Sequence, residues 1–130
     1  MDLITVERKD GFAFNIGVRG HGVTSDMSRK DGGGDAGPSP VELLAGSLGA
    51  CIAMMLQSYC DRHGYTDGDV GVSLTVEMAD SPKRVGGVVV DVELPADVPA
   101  DKREVIRRLA DLCPVHETLR NPPRMDIEIT

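Results

Sequence analysis

The sequence predicts one α+β domain over residues 1–130, and three observations lead to that prediction. The chain has 130 residues, 41 % of them hydrophobic, which is enough for one domain with its own core. Apolar and polar residues alternate, as in strands, near the N-terminus, in the second half and at the C-terminus. One long apolar helix and one shorter amphipathic helix separate these stretches, without repeats or a linker.

The first part of the chain is predicted to form strands followed by a loop. Residues 3–6 and 12–18 are two strands joined by a hairpin turn at residues 9–11, and residues 20–26 hold a third strand. Residues 31–40 are rich in glycine and proline, which indicates a loop. Its three consecutive glycines lack the strand and the Gly-Lys-Ser/Thr sequence of a phosphate-binding loop, so we expect a flexible turn.

A long helix should follow this loop. Ser39 is a plausible N-cap, Pro40 fits the first turn, and Glu42 completes a capping box. Gly64 is a typical residue just after a helix end. Between residues 43 and 56 nearly every face of the helix is apolar, so it must be covered on all sides. A small sheet covers one side, and a second copy of the chain is the simplest cover for the other.

The second half is predicted to hold the remaining elements. Strands occupy residues 70–78 and 88–94, with residues 79–87 joining them. Residues 101–112 form a helix that ends at Cys113 because Pro114 disfavours the helical conformation there. Its apolar face consists of Val105, Ile106, Leu109 and Leu112. A short helical turn at residues 115–119 and a last strand at residues 125–129 complete the chain.

Charge and composition exclude several functions. The net charge of −7 and the pI of about 4.8 leave no basic surface for phosphates, so no nucleic-acid partner is expected. No secretory signal is visible, and Glu42, Ser47 and Gln57 interrupt the longest apolar stretch, so no membrane partner is expected. Three cysteines without such a signal indicate a reducing, cytoplasmic location.

Two cysteines are the candidates for chemistry. Cys51 lies within an apolar helix, where most cysteines are small buried hydrophobes. Cys113 stands before Pro114 at a helix start, where backbone N–H groups stabilise a thiolate. Folding can assemble two such distant thiols into a redox couple. Because Cys51 is too deep in its helix for the dipole to ionise it, a nucleophilic role requires a nearby cation.

Metal binding is the competing interpretation of the cysteines. Cys60 and His63 form one Cys-x-x-His pair, and Cys113 and His116 form another, which is nominally a zinc ligand set. Neither pair lies in a tight knuckle, and His63 suits the C-terminal end of a helix. We therefore expect no metal site.

Two segments together resemble the OsmC/Ohr family of thiol proteins. The first, GPSPVELLAGSLGACIAMML, spans residues 37–56, and the second, CPVHETL, spans residues 113–119. The Cys-Pro-Val-His version is similar to one branch of that family. The resemblance implies an OsmC-like intertwined α+β homodimer, with antiparallel sheets around two long central helices.

The same resemblance implies a two-cysteine hydroperoxide reductase. Cys51 would attack an organic hydroperoxide and become a sulfenic acid, and Cys113 would then form a disulfide with it. An external dithiol would restore both thiols. No cofactor is implied, because sulfur carries both electrons.

The family also uses an Arg–Glu pair, and this sequence offers candidates for both. Arg29 precedes the long helix, and Arg8 lies at the first hairpin. Val41 occupies the position where the best-studied branches carry glutamate, and Glu42 follows it. The alternative function is non-catalytic: a small-molecule binding or redox-sensing protein whose dimer-interface pocket is lined by Cys51 and shaped by Met54 and Met55.

Overall fold

The computed structural model describes residues 1–130 as five strands and three helices. The order is β1 (Thr5–Asp10), β2 (Ala13–Val18), β3 (His21–Ser25), α1 (Pro40–Arg62), β4 (Gly71–Ala79), β5 (Arg84–Glu93), α2 (Arg103–Asp111) and α3 (Pro114–Arg120). Short 3₁₀ turns precede α1 at Arg29–Asp31 and α2 at Ala100–Lys102. Both sheets are antiparallel, so the predicted α+β class is confirmed.

The chain forms two compact units, Met1–Ala45 and Gly46–Thr130, and the boundary falls within α1. Each unit contains one sheet. That the whole chain acts as one domain stays a prediction.

The first unit contains a three-stranded sheet in the order β1-β2-β3. Val6, Ile16 and Val23 are register partners across the three strands, so they share one face. Phe12, expected in a strand, lies instead in the turn between β1 and β2 and is 58 % exposed. Gly11 precedes it with φ of +55°, a conformation that glycine adopts without strain.

Helix α1 starts as the sequence predicts. Ser39 N–H donates to the Glu42 carboxylate over 2.9 Å, and Glu42 N–H donates to Ser39 Oγ over 3.2 Å. These two bonds form the predicted capping box. The helix ends at Arg62, and Gly64 follows with φ of +74°.

The core of the second unit lies between α1 and the β4–β5 hairpin. The buried stripe of α1 is Leu48, Gly49, Ile52, Leu56 and Cys60. Register partners Val72–Val92 and Leu74–Val90 supply half-buried side chains that pack against this core. Strand β5 begins at Arg84, earlier than predicted, because the Arg84 guanidinium donates to the carbonyls of Asp80 and Pro82 and closes a short turn.

The opposite stripe of α1 is exposed in the single chain. It contains mostly small residues together with Met54, which is 72 % exposed. By length and hydropathy alone α1 could cross a membrane, which the sequence analysis had excluded on composition. The buried stripe of α1 packs on the β4–β5 hairpin, as in the core helix of a globular unit. The absence of a membrane partner stays a prediction.

Helices α2 and α3 differ from the predicted pattern in detail. Ile106 is buried, but Val105 and Leu112 are 45 % and 62 % exposed, so the predicted apolar face was partly wrong. Leu112 lies beyond the end of α2, at its C-cap, where it has left the helical face. The predicted last strand was also wrong for this chain. Residues 121–130 have no regular structure, since no strand of the same chain pairs with them.

Candidate functional site

Folding brings Cys51 and Cys113 together in the second unit. Cys51 lies in the middle of α1 and is half-buried, whereas Cys113 has no exposed surface. The Cys113 thiol is within hydrogen-bonding reach of the Cys51 side chain, and no disulfide joins them. Two reduced sulfurs in direct contact can form a disulfide with little rearrangement of the backbone.

The corner between α2 and α3 places Cys113. The Cys113 backbone N–H donates to the Ala110 carbonyl, and Pro114 begins α3 at its first position. The His116 ring Nδ1 lies 2.9 Å from the Asp111 carbonyl oxygen. Because a carbonyl only accepts, Nδ1 carries the proton and donates, and the ring therefore ties the first turn of α3 to the end of α2.

Burial and hydrogen bonding act in opposite directions on the Cys113 thiol. Burial raises its pKa above the ordinary value of 9.0, and the neighbouring Cys51 side chain raises it further. The backbone N–H groups of His116 and Val115 point at the sulfur and lower the pKa, as expected at a helix start. Burial is the larger effect, so the net shift of the Cys113 pKa is upward.

Cys60 is separate from this pair. It is fully buried in the core, and burial raises the pKa of its thiol above 9.0, with smaller effects of Asp61 and Asp97. His63 Nδ1 bonds to the Tyr59 carbonyl over 2.8 Å, and its ring stacks on the Tyr59 ring. No group of three or more His, Cys, Asp or Glu side chains has the arrangement of a metal site, so the geometry gives the zinc alternative no support.

Glu42 lies in the first unit and serves as the cap of α1. The Ser39 backbone N–H lowers the pKa of the Glu42 carboxyl most, and the Ser39 hydroxyl adds to this effect. The side chain is exposed. The structure therefore gives Glu42 a structural role, and its catalytic role stays a prediction.

Arg29 begins the 3₁₀ turn in the loop between β3 and α1 and is exposed. Arg8, the second candidate, donates from Nε to the Gly11 carbonyl over 2.9 Å and thereby closes the β1–β2 turn. Arg8 therefore has a structural role in the turn, and the choice of Arg29 over Arg8 as the supporting cation stays a prediction.

Asp26 organises the Arg29 loop, and the sequence analysis missed it. Its side chain is 3 % exposed and accepts backbone N–H bonds from Met27 (2.7 Å), Ala36 (3.1 Å) and Gly34 (3.2 Å). The Ala36 bond lowers the pKa of Asp26 most, and the Met27 and Gly34 bonds and the Arg29 charge add to it, against the effect of burial. An acidic residue just before a glycine-rich loop is the sequence signal for such a turn.

Gly33 in this loop is needed for close packing rather than for a flexible turn. A Cβ at Gly33 would collide with the Met27 carbonyl and lie 2.8 Å from an Asp26 carboxylate oxygen. The N–H groups of Gly32, Gly33 and Gly34 all donate within the loop. None of the three is left to bind a phosphate, in agreement with the sequence analysis.

The dimer-interface pocket of the binding-protein alternative stays a prediction, but two of its residues line a hollow on the single chain. Met54 and Met55 line a hollow of about 290 Å³ together with Ser58, Arg62 and Leu109. Cys51 is not among its lining residues. The hollow and the cysteine pair are therefore separate features of the second unit.

Comparison with known families identifies the relatives of this chain. A family model described as "OsmC-like protein" matches residues 32–128, which includes both cysteines of the pair. The chain belongs to the OsmC-like family. This membership confirms the resemblance found in the sequence, although the Cys-Pro-Val-His branch is not resolved by it. Comparison with curated protein sequences gives no match.

Solved structures share the fold of this OsmC-like protein at low identity. An osmotic stress induced and detoxification response protein from Psychrobacter arcticus 273-4 is 19 % identical, with a TM-score of 0.82 over 91 % of this chain and 88 % of that one. An OsmC like protein from Mycoplasma pneumoniae is 17 % identical, with a TM-score of 0.76 over 92 % and 86 %. The organic hydroperoxide resistance protein OhrB of Bacillus subtilis is 20 % identical, with a TM-score of 0.64 over 93 % of each chain. Such identities establish the fold alone.

Proposed function

We propose that this OsmC-like protein is a thiol-dependent reductase of organic hydroperoxides. The observation that carries the proposal is the contact between Cys51 and Cys113, one half-buried and one fully buried. A peroxidase of this type needs one sulfur that the peroxide can reach and a second sulfur close enough to capture the oxidised first one. The name of the structural neighbour OhrB agrees with this substrate class.

The cycle follows from the different environments of the two sulfurs. The Cys51 thiolate attacks one peroxide oxygen, the O–O bond breaks, and a proton completes the alcohol, leaving Cys51 as a sulfenic acid. The Cys113 sulfur attacks the Cys51 sulfur, a disulfide forms and water leaves. An external dithiol then reduces the disulfide and becomes a disulfide itself. No metal or organic cofactor enters this scheme.

Arg29 is proposed as the cation that favours the Cys51 thiolate, and Glu42 as the acid that pairs with it. A guanidinium is permanently charged and also suits hydrogen bonding to a peroxide. The support for Arg29 is its loop, which the buried Asp26 carboxylate holds by three backbone hydrogen bonds. Arg8, by contrast, is engaged in its own hairpin turn.

A homodimer is proposed as the working form. In the single chain Met54 on α1 and Val6 in the first sheet are 72 % and 58 % exposed, and Ile127 in the alternating C-terminal segment is 88 % exposed. Apolar surface on several elements at once is typical of chains that associate. We propose a second copy as the cover because one chain leaves both short sheets with open edges.

Peroxide consumption by cysteine variants tests the enzymatic proposal. Wild-type protein should consume an organic hydroperoxide with a dithiol as reductant, and Cys51→Ser should abolish this activity. Cys113→Ser should leave Cys51 as a sulfenic acid or as a mixed disulfide. Cys60→Ala is the matched control, since Cys60 is buried on the core side of α1, and it should retain turnover.

Two outcomes would reject the proposal. If Cys60→Ala loses as much activity as Cys51→Ser while remaining folded, the assignment of the pair is wrong. If wild-type protein does not consume peroxide, the alternative of a binding or redox-sensing protein is favoured.

A further inference from the structure

The two sulfurs of the Cys51–Cys113 pair differ in access from outside. Cys113 has 0 % exposed surface and belongs to the buried core of the second unit, together with Leu48, Ile52 and Ile106. Cys51 contacts this core but is only half-buried. A disulfide between them would therefore have one end open to the surroundings and one end closed by the core.

This difference in access decides which of the two sulfurs an external thiolate can attack during thiol–disulfide exchange. The attacking thiolate donates electrons into the S–S bond from the side opposite the leaving sulfur, so the three sulfurs lie in line. Attack on Cys113 would have to come through the packed core behind it. Cys51 is partly exposed, so an external thiolate can reach its sulfur without passing through the core.

We infer that the external reductant attacks the Cys51 sulfur of the disulfide and expels Cys113. This inference rests on the proposed disulfide cycle and names the step at which the reductant enters it. In the first exchange a new bond forms between the reductant sulfur and Cys51, the Cys51–Cys113 bond breaks, and Cys113 leaves with the electron pair and takes up a proton. In the second exchange another thiolate attacks the reductant sulfur, forms its disulfide and releases the Cys51 thiolate.

The surroundings of Cys113 suit a leaving group. The N–H groups of Val115 and His116 face its sulfur, where the negative charge appears as the bond breaks. The His116 ring holds this corner in place through its bond to the Asp111 carbonyl.

Mapping of a mixed disulfide tests the site of attack. Protein carrying Cys60→Ala is oxidised with diamide, which forms the disulfide without any peroxide, and is then mixed briefly with a monothiol such as glutathione and quenched with acid. Trypsin places Cys51 and Cys113 in different peptides, residues 31–62 and 109–120. Mass spectrometry should find the monothiol on the Cys51 peptide at least about ten-fold more often than on the Cys113 peptide.

The controls of this experiment do not depend on peroxidase activity. In guanidinium the preference should disappear, because the core no longer shields Cys113. Equal labelling of the two peptides in folded protein, or labelling mainly of Cys113, would overturn the inference. So would failure of diamide to link the two cysteines. Because no peroxide is used, the result is readable even if the protein does not turn over hydroperoxides.

Single-cysteine variants give an independent measurement. Protein with Cys60→Ala and Cys113→Ala retains only Cys51, and protein with Cys60→Ala and Cys51→Ala retains only Cys113. With an aromatic disulfide reagent in excess, the Cys51 protein should react at least about ten-fold faster than the Cys113 protein. A Cys113 thiol that reacts as fast as Cys51 in folded protein would contradict the inference.

Discussion

At the scale of single residues, each cysteine has a distinct environment. Cys51 is half-buried, Cys113 is buried beside it, and Cys60 is buried within the core. The positions of Cys51 and Cys113 followed from sequence motifs, but the burial of Cys113 did not. Its shielding arises from residues of α1 and α2 that are distant in sequence, and a local pattern does not describe such packing.

Arg29 and Glu42 give the first prediction. Glu42→Gln keeps the capping box, because glutamine also accepts the Ser39 N–H bond, but it removes the carboxylate charge. If Glu42 holds Arg29 for catalysis, both Glu42→Gln and Arg29→Ala should lower the rate of peroxide reduction by at least about ten-fold. Thermal melting should change little for Glu42→Gln.

Stopped-flow measurement of peroxide reduction with each variant checks this prediction. Arg8→Ala is the matched control and should retain the rate, since Arg8 closes the first hairpin. An unchanged rate in Glu42→Gln would show that Glu42 serves only as a helix cap. A larger loss in Arg8→Ala than in Arg29→Ala would exchange the roles of the two arginines.

At the scale of elements, the loop between β3 and α1 depends on Asp26. Folding lowers the pKa of this carboxyl below its ordinary value of 3.8, chiefly through the Ala36 N–H bond. Folding therefore favours the charged form. Its contribution to stability is present above about pH 3.8 and is lost as the pH falls through the lower pKa of the folded state.

Asp26→Asn should consequently be less stable than wild type at neutral pH, because an amide nitrogen cannot accept the N–H bonds of Gly34 and Ala36. The difference in unfolding free energy should shrink as the pH falls below 3.8. Urea unfolding of both proteins across this range measures it. Asp35→Asn, an exposed substitution in the same loop, should behave as wild type. A difference between Asp26→Asn and wild type that is constant with pH would contradict the role of the charge.

Glycines of α1 provide the third prediction. A Cβ at Gly49 would lie 2.5 Å from Leu74 Cδ1 on β4, whereas a Cβ at Gly46 would meet nothing within 4 Å in the chain. Gly49→Ala should therefore destabilise the protein by about 1–3 kcal/mol relative to Gly46→Ala, because the half-buried Leu74 side chain must shift within the packed core to make room. Gly46→Ala should not destabilise the chain itself, since alanine favours the helix by about 0.5–1 kcal/mol. Denaturant unfolding of the two variants tests the contrast, and equal stability would contradict the packing described for α1.

The elements themselves were largely predictable from the sequence. The predicted strands match β2, β3 and β4 closely, and the capping residues located the start of α1. Strand β1 was misplaced, because it runs from Thr5 to Asp10 rather than over residues 3–6, and the predicted turn at residues 9–11 overlaps its end. The exceptions have physical causes. Strand β5 starts early because Arg84 closes a short turn, and Leu112 leaves the apolar face because α2 ends before it. Asp26 was missed because its partners are backbone N–H groups, which carry no side-chain signature.

At the scale of the whole molecule, the exposed stripe of α1 and the unpaired C-terminal segment lead to the prediction of a homodimer. Alternation predicted a strand at residues 125–129, but Met125, Ile127 and Ile129 are 77–93 % exposed and no strand of the same chain pairs with them. A strand pattern without a partner in its own chain is what an intertwined assembly would produce.

Met54→Glu tests the dimer directly. Met54 is 72 % exposed in the single chain, so a charge there should leave one chain's own packing intact but disrupt an interface that buries it. Sedimentation should show a dimer for wild type at micromolar concentration and a shift toward monomer or unfolded chain for Met54→Glu. Ala96→Glu, in an exposed loop, is the control and should remain dimeric. A cooperative, folded wild-type monomer would contradict the prediction.

The central claim is that Cys51 and Cys113 form one two-electron site, and a single-turnover experiment tests it most directly. Fully reduced protein, with three thiols per chain, is mixed with one equivalent of an organic hydroperoxide and no reductant. One equivalent of alcohol should form and two thiols should be lost. Peptide mapping should assign the new disulfide to Cys51 and Cys113, with Cys60 still reduced. No alcohol, or a disulfide that includes Cys60, would contradict it.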